Sequence, residues 1–122
     1  MKTTQLFAAL TAIATTNTDG YTVNAKTLQP VTTGYAVAVA ATQNSFGPEG
    51  LAKVIKYVQD HPEVDAFGGW YNSKNEQYYY DATIIVPTKS EAIELAKVNK
   101  QLAFFCLDTL TEYDQDGNEK KD

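Results

Sequence analysis

Apolar residues recur at helical spacing in three stretches of the chain, at residues 6–14, 51–58 and 92–98. Pro48 precedes the second stretch, where the missing N–H of proline costs nothing in the first turn of a helix. The sequence Thr88-Lys89-Ser90-Glu91 precedes the third stretch and matches a capping box, in which Thr88 and Glu91 satisfy each other's backbone N–H groups. The pattern therefore predicts three amphipathic helices.

Two segments between the first and second helices alternate in the manner of β-strands, residues 21–24 and residues 34–41. In the second segment Tyr35, Val37 and Val39 share one face, and alanines occupy the other. Because small side chains permit close approach, we expect the alanine face to pack against a helix.

Residues 65–71 and 77–86 predict a β-hairpin, since a polar turn of five residues joins two strand-like segments. Residues 102–107 are almost entirely apolar and predict a central strand that is covered on both faces. From residue 111 onwards the sequence is polar and charged, which is typical of a mobile C-terminal tail.

These elements predict an α+β fold in the order α-β-β-α-β-β-α-β. We expect a single domain over residues 1–110, with a mainly antiparallel β-sheet and helices packed on one side, followed by a charged tail over residues 111–122. A length of 122 residues, of which 43% are hydrophobic, suits one domain with one core.

Composition excludes several classes of function. The net charge is −5 and all ten basic residues are lysines, so the protein lacks the arginine fork that recognises phosphate and bases. We therefore expect no nucleic-acid binding. No stretch reaches the roughly 20 apolar residues of a membrane span. With Cys106 and His61 each alone of its kind, we predict no catalytic site, no metal site and no cofactor.

The predicted hairpin is dense in aromatic residues, with six of them between residues 67 and 80: Phe67, Trp70, Tyr71, Tyr78, Tyr79 and Tyr80. Strand alternation sends Tyr78 and Tyr80 to one face and Tyr79 and Asp81 to the other, so some rings must face away from the core. Exposed tryptophan and tyrosine are favoured at protein interfaces. The expected partner-binding residues are Trp70, Tyr71, Tyr79 and Asp81. Ordinary cross-strand pairing and a stacking platform for a small molecule are the alternative interpretations.

Residues 68–107 contain a group of short local sequences: Gly68-Gly69-Trp70, Tyr79-Tyr80-Asp81, Ile84-Ile85-Val86, Glu91-Ala92-Ile93 and Asn99-Lys100-Gln101-Leu102-Ala103. With them, the segment resembles small accessory proteins of phages and conjugative elements of bacteria, for which no activity is established. Cys106 departs from their pattern, which has an acidic residue before the leucine. The resemblance implies a small protein of a mobile element, with interference with a host defence among its roles.

Three functional hypotheses follow. The first is a non-enzymatic interaction protein, a mobile-element accessory or host-defence inhibitor, that binds a protein partner or a second copy through the aromatic hairpin and an acidic surface. The second is a protein that sequesters a nucleotide-like signal by aromatic stacking. The third is an acidic mimic of DNA.

The implied location is the cytoplasm of a bacterial host. Lys2 and residues 6–14, which end in Ala12-Ile13-Ala14, are similar to a short signal peptide, so secretion after cleavage is the alternative.

Overall fold

Residues 2–120 form one antiparallel sheet of seven strands, on which three α-helices pack. The structure is a computed structural model that describes residues 2–120. Within that range the α-helices are α1 (Thr3–Thr16), α2 (Gly47–Asp60) and α3 (Lys89–Val98), and a short 3-10 helix spans Ala40–Thr42. The strands are β1 (Tyr21–Asn24), β2 (Tyr35–Ala38), β3 (Ser45–Phe46), β4 (Ala66–Asn72), β5 (Gln77–Val86), β6 (Ala103–Cys106) and β7 (Thr111–Asp114).

The helices begin where local sequence signals place them. Pro48 lies in the first turn of α2. At the start of α3, the Thr88 hydroxyl oxygen accepts a hydrogen bond from the Glu91 N–H at 3.2 Å, and the Glu91 carboxylate accepts one from the Thr88 N–H at 3.3 Å. The predicted capping box is therefore present, and it satisfies two backbone donors that the helix itself leaves without a partner.

The strands lie in the order β1-β4-β5-β2-β6-β7, and β3 pairs with the remaining part of β5. The β4–β5 hairpin pairs without a bulge from Ala66 opposite Thr83 to Asn72 opposite Gln77. This register turns Tyr80 and Ala82 towards the core, as the alternation predicts.

All three helices cover the same face of the sheet. Helices α1 and α2 bury Leu10 and Ile55 against Phe67 of β4 and against Tyr80 of β5. Helix α3 packs on the other half of that face, where Ala92 and Ala96 contact Val37 and Phe104. The structure therefore confirms a single α+β domain with helices on one side of an antiparallel sheet.

The prediction for the alanines of β2 is wrong. Val37 is fully buried beneath α3, so Ala36 and Ala38 lie on the opposite face, which no helix within residues 2–120 covers. The physical reason is that burial of the larger valine removes more apolar surface from water than burial of alanine does. Strand β6 lies inside the sheet between β2 and β7, but the prediction that both its faces are covered is wrong, because Phe105 faces the uncovered side.

The sheet extends past residue 110, where the sequence predicted the end of the domain. Strand β7 falls within the segment expected to be a tail and pairs with β6 along its whole length. Tyr113 stacks on Phe104 with 5.5 Å between ring centroids, and the Lys89 ammonium lies 4.3 Å from the centroid of the Tyr113 ring. One aromatic residue among acidic neighbours therefore anchors this strand.

None of the helices within residues 2–120 combines the length and the apolar content that a bilayer-spanning helix requires.

We predict that Leu10→Ala lowers the free energy of unfolding by about 2–5 kcal/mol, because the leucine side chain is fully buried between α1 and the sheet. Leu102→Ala is the matched control, since Leu102 is 74% exposed and its truncation should change stability by less than about 0.5 kcal/mol. Urea denaturation followed by Trp70 fluorescence measures both variants. Equal effects of the two substitutions would contradict the placement of α1 in the core.

Candidate partner-binding site

The uncovered face of the sheet holds a trough of about 960 Å³. Its floor is made of small side chains from the three central strands: Ala36, Ala38, Gly68 and Thr83. Pro30 and Val31 line it on the β1 side, and Phe105 and Leu110 line it on the β6 side. Because the floor is low and the sides carry larger residues, the face is concave and can admit a side chain of another molecule.

Asp81 lies in this trough directly opposite Gly68. A Cβ atom at position 68 would lie 2.6 Å from Asp81 Oδ1 and 2.9 Å from the Thr83 hydroxyl oxygen, which is closer than van der Waals contact allows. Glycine at this position therefore leaves the space that the carboxylate and the hydroxyl occupy.

The Asp81 carboxylate is partly buried and has few partners. The Thr83 hydroxyl donates a hydrogen bond to Oδ1, and within residues 2–120 no donor reaches Oδ2. Burial raises the pKa of Asp81 to about 6, although the Thr83 hydrogen bond opposes the shift. The other ionisable side chains that line the trough are Asp19, Tyr21 and Glu112, and no lysine or histidine within the described residues lines it.

A row of three aromatic rings borders the Asp81 end of this face. Trp70 and Tyr79 stack with 4.8 Å between centroids and 17° between ring planes, and Phe46 packs on Tyr79 at 5.3 Å. Trp70 and Phe46 are each 46% exposed. We name Phe46, Tyr79 and Trp70 the aromatic row. Tyr79 is two residues before Asp81 on β5, so the row and the carboxylate lie on the same face.

Three of the four predicted partner-binding residues therefore come together: Trp70, Tyr79 and Asp81. Tyr71 does not join them, because it pairs with Tyr78 on the helix-covered side of the sheet, where its side chain is 41% exposed at the end of the strand. The sequence did not indicate that Phe46 belongs to this group. Its segment predicted only the start of a helix, and a two-residue strand carries almost no periodicity signal.

The remaining hairpin tyrosines serve the core. Tyr21 and Tyr78 stack at 6.1 Å across Gly69, where a Cβ atom would lie 2.8 Å from the Tyr78 ring. The Tyr78 hydroxyl donates a hydrogen bond to the Asn17 carbonyl at 2.7 Å, and burial raises the pKa of Tyr78 to about 12. Tyr78 and Tyr80 therefore belong to the core, whereas the aromatic row is made of cross-strand pairs that leave Trp70 and Phe46 exposed.

Both outer strands of the sheet have their exposed edges occupied. The Val31 N–H donates to the Thr22 carbonyl of β1 at 2.9 Å, and the Lys120 N–H donates to the Glu112 carbonyl of β7 at the same distance. A partner that adds a strand needs free backbone groups at an edge. The face of the sheet is therefore the better candidate for contact than its edges.

The other residues considered for chemistry lie apart from the trough or have structural contacts. His61 ends α2, where its ring stacks on Tyr57 at 3.8 Å. Cys106 is buried; burial raises the pKa of its thiol, but hydrogen bonds with Thr109 and Asp108 outweigh this and lower it. Asp114 accepts backbone hydrogen bonds in a turn. No group of three His, Cys, Asp or Glu residues in the described part of the chain could hold a metal ion.

Comparison of the chain with protein-family models, with curated proteins and with solved structures finds no match.

We predict that Asp81→Asn stabilises the protein at pH 7.5, because a neutral amide avoids the cost of a partly buried charge and can still accept the Thr83 hydrogen bond. In the wild type the folded-state pKa of about 6 lies above the ordinary value of 3.8. The folded protein therefore holds this proton more tightly than the unfolded chain, and wild-type stability falls as the pH rises between these two values. The advantage of the variant should be about 3 kcal/mol at pH 7.5 and should largely vanish below about pH 4.

Urea denaturation at several pH values measures this difference. Asp60→Asn is the control, since Asp60 is exposed on α2 and its removal should produce no comparable gain near neutral pH. An Asp81 carboxyl that titrates near pH 4 in the folded protein, followed by NMR, would contradict the prediction.

Proposed function

We propose that this protein is a non-enzymatic interaction protein that binds a protein partner on the uncovered face of its sheet. The observation that carries the proposal is the aromatic row beside the trough, since two of its rings are 46% exposed on a face that no helix within residues 2–120 covers. A mobile-element accessory protein or inhibitor of a host defence is the role that we propose for it.

The energetics of interfaces support this proposal. Exposed tryptophan and tyrosine provide large contact areas with few rotatable bonds, and such residues dominate the binding energy of many complexes. Trp70 is held by its stack on Tyr79, and the Asn75 side-chain amide donates to the Tyr79 hydroxyl at 2.7 Å. Because the rings are already ordered, their contact with a partner costs little additional conformational entropy.

The two alternative functions gain less from the geometry. The phosphate groups of a nucleotide-like signal would meet Asp81 and Asp19 in the trough, and no lysine within the described residues lines it; Lys120 is paired with Glu112 at its border. A mimic of DNA needs an extended field of negative charge, whereas lysines pair with acidic residues on this surface, as in Lys56 with Asp60 and Lys97 with Asp116.

We predict that Trp70→Ala lowers the recovery of a partner by at least about tenfold when the full chain captures proteins from a bacterial host lysate, and that Tyr79→Ala has a similar effect. Tyr71→Ala is the matched control, because Tyr71 is a neighbouring aromatic residue of similar exposure on the opposite face of the sheet. Quantitative mass spectrometry of the captured proteins measures the recovery.

A partner that depends on Tyr71 and not on Trp70 would place the interface on the other face and would contradict the proposal. Size-exclusion chromatography with light scattering tests for a second copy as the occupant. A dimer of the wild type that Trp70→Ala converts to a monomer would mean that the same face mediates self-association instead.

A further inference from the structure

Asp81 places a carboxylate in the trough, and no cation pairs with it within residues 2–120. Asp81 lies in it, Asp19 and Glu112 line its borders, and none of the lining residues is a lysine or a histidine. Glu112 pairs with Lys120 at 3.8 Å, the other two ion pairs in the described residues lie away from the trough, and none of the three involves Asp81. A partly buried carboxylate in such surroundings is most stable next to a positive charge.

The shape of the trough suits a long side chain that is apolar along its stem and charged at its end. Ala36 and Ala38 form an apolar floor, along which methylene groups can lie. The Asp81 Oδ2 atom accepts no hydrogen bond within residues 2–120, while Oδ1 is oriented by the Thr83 hydroxyl. A guanidinium group offers paired donors to a carboxylate in this arrangement.

The aromatic row adds a second attraction for the same group. Tyr79 precedes Asp81 by two residues on the same face, a distance of about 7 Å along the strand. Tyr79 itself packs between Trp70 and Phe46, whereas Trp70 lines the trough, so a cation held at the carboxylate can contact the face of Trp70 that Tyr79 does not cover. Aromatic faces attract positive charge.

We propose that the protein partner inserts a basic side chain, in the first place an arginine, into the trough, with its stem on the alanine floor and its charge at Asp81. This inference rests on the proposed function, because it names the chemistry of the partner that the uncovered face binds. Binding should then weaken as Asp81 becomes protonated. The other titratable side chains that line the trough are Asp19, Tyr21 of β1 and Glu112 of β7, of which Glu112 pairs with Lys120, while β2, β4 and β6 contribute none.

The experiment uses two tripeptides, acetyl-Ala-Arg-Ala-amide and its counterpart with citrulline, the neutral analogue of arginine. Each peptide is titrated into the full ¹⁵N-labelled protein at pH 7.5, and the amide signals of Ala38, Gly68 and Thr83 report on the trough. The arginine peptide should shift these signals, and the citrulline peptide should bind at least about tenfold more weakly. Lowering the pH to about 5 should weaken the arginine peptide by about tenfold, since most of the carboxylate is then protonated.

Two variants test the site itself. Asp81→Asn should reduce the affinity for the arginine peptide at least about tenfold, whereas Asp60→Asn removes an equal charge on α2 and should leave it unchanged. Ala38→Leu fills the floor of the trough without removing the carboxylate, and it should also reduce binding of the arginine peptide. This second variant tests the site independently if Asp81→Asn alters the fold. Equal binding of the two peptides, shifts outside the trough, or arginine binding that survives both trough variants would overturn the inference.

Failure of this inference can be distinguished from failure of the proposed function. If a captured partner depends on Trp70 but is recovered equally well by Asp81→Asn, the proposed interaction role is supported. The inference that the partner places a basic side chain at Asp81 is then refuted. If the arginine peptide binds at Asp81 but no partner and no second copy depends on Trp70, the trough recognises the cation and the interaction role is refuted.

Discussion

The pairing register of β4 with β5 is the constraint on which the rest of the structure depends. Because side chains alternate along a strand, the pairing of Phe67 with Ala82 turns one set of hairpin residues towards α1 and α2 and turns the other set away. A slip of one residue would bury Asp81 beneath the helices and expose Tyr80. The core and the uncovered face are therefore two consequences of the same hydrogen-bonding pattern.

Two consecutive glycines of β4 leave space for neighbouring side chains, one on each face of the sheet. Gly69 lies on the covered side, where the Tyr21 and Tyr78 rings occupy the space that a side chain would need. Gly68 lies on the uncovered side and leaves room for the Asp81 carboxylate. Glycine weakens a strand on entropic grounds, and here the loss is offset by packing on one face and by space for a polar group on the other.

The sequence predicted the hairpin and its outward residues because alternation over ten residues of β5 is a strong local signal. It did not predict which face of β2 the helices cover, since alternation separates Val37 from Ala36 without assigning either to the core. It also missed Phe46 and β7. Phe46 lies in a two-residue strand that forms against Tyr79, 33 residues further along the chain. Strand β7 pairs with the preceding strand, but it is four residues long and Tyr113 is its one aromatic residue, so its sequence carries little strand signal.

The partial burial of Asp81 in the folded protein lowers the hydration that its carboxylate must lose when a partner binds. An isolated carboxylate in water must lose its hydration when it binds a partner, and that loss opposes association. Part of the Asp81 hydration is already removed when the chain folds, as its raised pKa indicates, and Gly68 and Thr83 hold the group in one position. A positively charged group that enters the trough then gains the electrostatic attraction with less of this cost. The stability that the charged form of Asp81 costs the free protein is therefore recovered in part when such a partner binds.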